Sequence, residues 1–286
     1  MSVNHHGKKQ EDKTEALGPK YCSKVRMGNW NEDVILQEEN IKYFLRKKEK
    51  GELMIQKTRE TLSNILKEVQ LLLPEFYLCY GQTCQVVNLS VCHPRAPQGL
   101  ALAGVVGPRE VDECRHFLDG SLVAGSPMTS PVVRNCFRIS SPENTDLNGQ
   151  QLKFGEPFAL STVESPYKMP LWVESEVPHL HSVLGKSKHP LLRLTSYKNI
   201  YSLWRALPLE PSDREDLLGT PVPANEPLII SHVASNKNLS VEPDFWFTTY
   251  LGAECEVTVN TDLNIYRRET SNNIWMLVTN RPKEER

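Results

Sequence analysis

Three features of the sequence predict a mainly β protein: a β-trefoil body with long loops, preceded by an N-terminal α-helical arm. Residues 31–70 carry the only long helical pattern. After residue 75 the chain breaks into short apolar stretches separated by prolines and glycines. Within that second half, a turn–strand–leucine–aromatic unit recurs three times. The organisation expected is a flexible leader over 1–22, a tryptophan-containing cap and helical arm over 23–73, the trefoil over 74–280 and a short tail over 281–286.

The leader, MSVNHHGKKQEDKTEALGPK, has no apolar h-region and reads as a solvated segment rather than a signal peptide. The cap RMGNWNEDV follows, and in it Asn31 is suited to cap a helix whose first turn carries Glu32 and Asp33. Val34, Ile41, Phe44 and Leu45 recur at helical spacing, and Arg46-Lys47-Lys48 closes the segment with positive charge. Gly51 marks a break. A second pattern carries Leu53, Met54, Leu62, Ile65, Leu66 and Val69 before Pro74 stops it. Such amphipathic helices need a surface to lie against. Trp30 is read two ways, as a ring packed on the chain's own core or as a handle for a partner.

In the second half, Tyr77–Val87, Asn135–Ser140, Pro157–Thr162, Leu171–Val173, Pro227–Val233 and Ile274–Thr279 read as strands, with one helical insertion at Arg109–Leu118. Polar insertions at 107–130, 141–150 and 205–220 supply the long loops. The repeat aligns YGQTCQV from Tyr80, FGEPFAL from Phe154 and ANEPLII from Ala224, at intervals of about 70 residues. Gly81, Gly155 and Asn225 fall at a turn that calls for positive φ. Cys84, Phe158 and Leu228 then share one strand face with Val86, Leu160 and Ile230. A second set places Phe137, Trp204 and Trp275 two residues after Asn135, Ser202 and Asn273, with Leu100 or Leu102, Leu171 and Leu239 between the two sets. Three copies burying one shared core are the mark of a trefoil, and each ring contributes about 1.5–3 kcal/mol on burial. A lectin-type trefoil carries Gln two residues before its Trp, which is not the residue found here. The stretch LIISHVASNKNL from Leu228 is instead similar to the MIR-type unit. His232 on it reads as a core or turn-bonding histidine.

Composition narrows the function classes. Of 286 residues, 33 are Lys or Arg and 35 are Asp or Glu, a balance that argues against a dedicated nucleic-acid binder. No apolar run approaches the ~18 residues of a membrane span. Cysteines at 22, 79, 84, 92, 114, 136 and 255 are odd in number and lack C-x-x-C spacing. Reduced thiols are expected, with the Asn88 and Asn238 sequons unmodified.

Several weak motifs fail on chemistry. Gly185-Lys186-Ser187 looks like the end of a phosphate loop, but Leu180 stands where a glycine is needed. Ser165 and Lys168 have the S-x-x-K spacing without its partner elements. His179, His181 and His189, with Cys92-His93, lack the compact paired spacing of a zinc site. Asp112-Glu113 and Glu174/Glu176 offer carboxylates with nothing to separate their pKa values. No catalytic residue, cofactor or metal is expected. A rival reading, a trefoil that binds a glycan or phosphoinositide, rests on Trp246 and Tyr250 near Asp244.

Four blocks carry a family resemblance: GNWNEDV at 28–34, QEENIKYFLRKKEKGELMIQKTR at 37–59, VPAN at 222–225 and NIWMLVTN at 273–280. Together they resemble the cilia- and flagella-associated protein 161 family, from about Val25 to Asn280. The stretches 88–150 and 174–200 match it loosely, and the leader before Tyr21 is longer than its pattern. The resemblance implies a non-enzymatic microtubule inner protein of motile cilia and flagella. Such a protein sits in the lumen of axonemal doublets, binds tubulin and neighbouring inner proteins, and stiffens the lattice. It implies no nucleic-acid or membrane partner and a cytoplasmic, cytoskeletal location. Within it, Arg26, Gly28, Asn29, Trp30 and Asn31 are the expected partner-contact residues, with Trp30 as anchor. Phe137, Trp204, Trp275, Phe158, Leu228 and Leu239 are the expected repeat core.

Overall fold

Acidic residues in the first turn and Arg46, Lys47 and Lys48 in the last bracket the long helix α1 (Trp30–Glu49), both signs matching the helix dipole. The structure, a computed structural model, describes residues 30–71, 76–91, 93–143, 147–165, 169–177 and 184–280, with Trp30 by its backbone alone. Helix α1 begins at Trp30, so Asn31 lies in its first turn rather than at its cap. Two compact units divide the chain, Met1–Leu53 and Met54–Arg286. In the first, α1 leaves Ile41, Phe44 and Leu45 exposed on one stripe.

The second unit begins with α2 (Met54–Ile65), so this helix belongs with the β body rather than with an arm ending near residue 73. The reason is burial: Thr61 and Ile65 are fully covered, and Leu62 and Leu66 pack on the central core. Polar ties add register. Asn64 Nδ2 donates to Arg115 O at 3.1 Å, Arg115 pairs with Glu60 at 2.5 Å, and Lys57 pairs with Asp112 in helix α3 (Pro108–Glu113). The chain then runs antiparallel to 131–133, where Val133 N donates to Lys67 O.

Six strands make a closed antiparallel ring. They are β1 (Thr83–Asn88), β4 (Phe137–Ser140), β5 (Pro157–Thr162), β8 (Leu203–Pro208), β9 (Pro227–His232) and β12 (Ile274–Val278). Pairing runs β1–β4–β5–β8–β9–β12 and back to β1. Three hairpins complete the body: β2 (Leu100–Gly104) with β3 (Leu122–Ser126), β6 (Trp172–Glu174) with β7 (Leu192–Thr195), and β10 (Leu239–Thr249) with β11 (Gly252–Val259). The hairpins also meet one another, through β3–β11, β3–β7 and the Leu191–Thr258 bridge. Closing the ring leaves no free edge among its six strands. A short helix α4 (Arg214–Leu217) lies in the loop between β8 and β9.

The two sets of aligned residues meet in the same register in every copy. Cys84 faces Phe137, Phe158 faces Trp204, and Leu228 faces Trp275. All six are buried, as is Leu239. The turn residues also repeat their geometry: φ is +84° at Gly81, +83° at Gly155 and +61° at Asn225. The N–H of each donates two residues beyond the facing ring, to Ile139, Ala206 and Leu277 O at 2.7, 3.0 and 3.1 Å. Asn225, the one with a side chain, uses it to accept the Thr279 N–H at 3.1 Å.

Candidate interaction surfaces and the polar interior

Each ring aromatic follows a 3-10 turn that ends in a small polar residue: Val133–Asn135, Ile200–Ser202 and Ser271–Asn273. These three side chains are buried and fully employed. Asn135 Oδ1 accepts Val132 N–H at 2.9 Å, and its Nδ2 donates to Met128 and Ser130 O. Ser202 Oγ accepts from Asn199 N and donates to Asn199 O. Asn273 Oδ1 accepts Asp262 N–H at 2.8 Å, and its Nδ2 donates to Leu239 and Asn260 O. The pattern that places a polar residue two before each ring is therefore a loop-closing device. The indoles repeat as well: Trp204 Nε1 donates to Val173 O at 3.0 Å and Trp275 Nε1 to Leu239 O at 2.9 Å. By this bond Val173, not Leu171, is the counterpart of Leu239.

His232 is buried against Trp204, with ring centroids 5.0 Å apart. Its Nε2–H donates to Tyr201 O and its Nδ1 accepts from Ser235 Oγ, both at 2.9 Å, which is a neutral tautomer closing a turn. Burial lowers its pKa below the ordinary 6.5, and burial does the same to His116. The unfolded chain then takes up protons first, so stability is complete above pH 6.5 and is lost as pH falls through the lowered values. The melting temperature should hold near neutrality and drop below pH 6.5. A His232→Gln variant should show a shallower drop, and an unchanged slope would remove His232 from the account.

The Gly185-Lys186-Ser187 loop does wrap a carboxylate, but an internal one. Glu256 accepts from Lys186 N at 3.0 Å, Ser187 N at 3.2 Å and the Ser187 hydroxyl. Beside it, Glu242 accepts from Thr258 Oγ1 at 2.7 Å and bonds His189 Nδ1 at 2.6 Å. Deeper still, Arg134 pairs with Glu254, each about 1 % exposed. Arg134 Nε and Nη1 meet no other partner among the described protein groups, while the Thr249 and Ser126 side chains support the Glu254 carboxylate.

Of the rival ligand site, half-buried Trp246 is engaged by the protein itself, whereas Asp244 and Tyr250 are exposed. Trp246 stacks on His93 at 4.7 Å, Arg95 lies over its ring at 5.5 Å, and its Nε1 donates to Pro243 O. Among the described residues no three His, Cys, Asp or Glu side chains converge as a metal set. Cys84, Cys114, Cys136 and Cys255 are free thiols, and burial pushes Cys136 and Cys255 up to about 12. His179, Leu180, His181, Lys168, Cys22 and Cys92 lie outside the described residues, as do the leader over 1–22 and the tail over 281–286.

Of the expected contact residues, Arg26, Gly28, Asn29 and the Trp30 side chain also lie outside the described residues, and Asn31 is exposed in the first turn of α1. What is described of that region is α1 itself. Val34, Ile41, Phe44 and Leu45 form its apolar stripe, with Ile41 60 % exposed. Its charged positions bond locally, Lys42 to Glu39 at 2.9 Å.

Taken together, these features describe a closed β body whose buried polar groups serve its own loops, carried in one chain with an amphipathic helix. The model of the cilia- and flagella-associated protein 161-like domain matches residues 57–280. Cilia- and flagella-associated protein 161 of Bos taurus is 34 % identical over 275 residues, covering 93 % of this chain and 84 % of the relative. Its counterpart in Danio rerio is 30 % identical over 272 residues, covering 93 % and 90 %. The chain belongs to the cilia- and flagella-associated protein 161 family. None of these matches names an enzymatic activity. Among solved structures, a Caenorhabditis elegans protein of unknown function aligns with a TM-score of 0.50 at 13 % identity, covering 71 % of this chain and 97 % of its own. That likeness speaks to the fold alone.

Proposed function

We propose that this chain is a non-enzymatic structural protein of the ciliary and flagellar axoneme. Its place is the luminal wall of doublet microtubules, where it binds tubulin and neighbouring inner proteins and stabilises the lattice. The body is a β-trefoil of MIR type, a reading supported by the six-strand ring, the three mutually paired hairpins and the threefold register.

The observation that carries the contact role is α1. It spans 20 residues, yet Ile41, Phe44 and Leu45 stand exposed on one stripe. Most helical stability in proteins comes from packing an amphipathic face, and a partner covering that stripe supplies it. Trp30 at its start is the anchor and Arg26 its charged companion, in the manner of aromatic and arginine hot spots.

The test is fractionation of axonemes. The wild-type chain should stay with doublets through high-salt extraction. Trp30→Ala and Ile41→Glu/Phe44→Glu should be released, while the melting temperatures of the purified variants stay within a degree or two of wild type. Release of the wild-type chain by salt would place it outside the wall. A melting temperature lowered by many degrees in Trp30→Ala would make that residue part of the core.

A further inference from the structure

A groove of about 460 Å³ opens on the β body beside the β8–β9 loop, and its chemistry is one-sided. Its walls carry four prolines, Pro208, Pro221, Pro223 and Pro227, and two rings, Tyr77 and Phe154. Proline has no N–H, so these walls are poor in donors, with the Pro208 carbonyl already taken by Arg214 Nε at 3.1 Å. The hydroxyl of Thr220, also in the lining, is already spent on Leu217 O at 2.6 Å. The charges point the same way. Glu210, Asp213 and Glu226 line the groove, and among its described lining residues none is Lys, Arg or His. Glu210 is held by Arg268 at 3.2 Å, whereas Glu226 has no ion pair among the described residues. Next to Tyr77, Phe76 is 91 % exposed.

An acceptor-rich, donor-poor groove with carboxylates and aromatic faces selects a ligand of opposite character. Arginine fits it: five donors and no acceptor, a fixed positive charge, and a plane that stacks on rings. We infer that this groove binds an arginine-bearing segment of a partner protein, the guanidinium meeting Asp213 and Glu226 and stacking on Tyr77. Lysine satisfies the charge but not the stacking or the fork of donors. The inference concerns the body and stands apart from the luminal reading of α1.

The full chain is titrated with three fluorescein-labelled peptides of one proline- and leucine-containing frame, bearing two Arg, two Lys or two Glu. The Arg peptide should bind, the Lys peptide more weakly and the Glu peptide not at all. Asp213→Lys/Glu226→Lys should weaken the Arg peptide by about tenfold or more, as loss of charge-assisted pairs predicts. Tyr77→Ala should erase the preference for Arg over Lys. All three positions are at least partly exposed, so unchanged melting temperatures establish that the variants fold. Equal binding of the Arg and Lys peptides, binding of the Glu peptide, undiminished affinity in the charge-reversed variant, or no binding of any peptide each overturns the assignment.

Discussion

Replacing Trp204 with alanine is expected to cost about 3–5 kcal/mol, the range for removing a buried large ring from a core. Set against a total stability of about 5–15 kcal/mol, that is a third or more of a typical folding free energy. The magnitude follows from position. Trp204 is buried, faces Phe158 across the β5–β8 pair, packs against His232 and bonds Val173 O. Removing the ring opens a void at one of three equivalent points of the ring of strands. Trp204→Phe separates volume from hydrogen bonding. It keeps most of the packing, strands the Val173 carbonyl and should cost about 1–3 kcal/mol. Trp275→Phe should behave alike, because its indole bonds Leu239 O in the same way, and the third copy already carries Phe137. Urea denaturation checks all three. A loss below about 1 kcal/mol for Trp204→Ala would be incompatible with a core ring.

The second large effect concerns Arg134 and Glu254. Arg134→Ala is expected to cost about 3–5 kcal/mol, because it leaves a carboxylate buried without a counter-charge. Arg134→Met/Glu254→Gln should recover much of that loss, since the pair itself carries a desolvation cost that neutral groups avoid. The pH dependence gives a separate reading. Burial raises the Glu254 pKa above its ordinary 4.5, and the Arg134 charge holds it down. A carboxyl with a raised folded pKa adds stability below 4.5 that is lost as pH rises through the folded value. Without Arg134 that value climbs, so the single variant should be weakest at neutral pH and regain stability in acid. Denaturation at pH 5 and pH 8 distinguishes this from simple loss of packing, which would be insensitive to pH.

Much of the ring of strands was legible because its signals are local and periodic. Pro157–Thr162 begins and ends as the large-to-small alternation of Phe158, Leu160 and Thr162 with Pro157, Ala159 and Ser161 indicates, and the Gly81, Gly155 and Asn225 turns carry the positive φ their residue types suggest. The hairpins were harder. β10 and β11, the longest pair, are absent from the strands the sequence predicts, since Pro243 and the acidic residues at 242, 254 and 256 look like solvated loop. The structure places a register shift between Glu242 and Trp246, and buries all three carboxylates on internal partners. The period-two run Cys255, Val257, Val259, all buried, was the available signal. The loops assigned to 107–130 and 205–220 likewise conceal β3 and part of β8, and the helix expected at Arg109–Leu118 closes at Glu113.

From residue order alone came the repeat, its turn residues and its aromatic positions, because each depends on side-chain type at fixed spacing along one chain; the family came from the resemblance of whole sequence blocks. Three outcomes depended on contacts between distant segments. Helix α2 joined the body because Ile65, Leu62 and Leu66 found the core. Trp246 stacked on His93 with Arg95 over its ring. Arg134 met Glu254 across 120 residues of sequence. Burial and charge pairing are properties of position in space, and no periodicity along the chain encodes which carboxylate will meet which guanidinium.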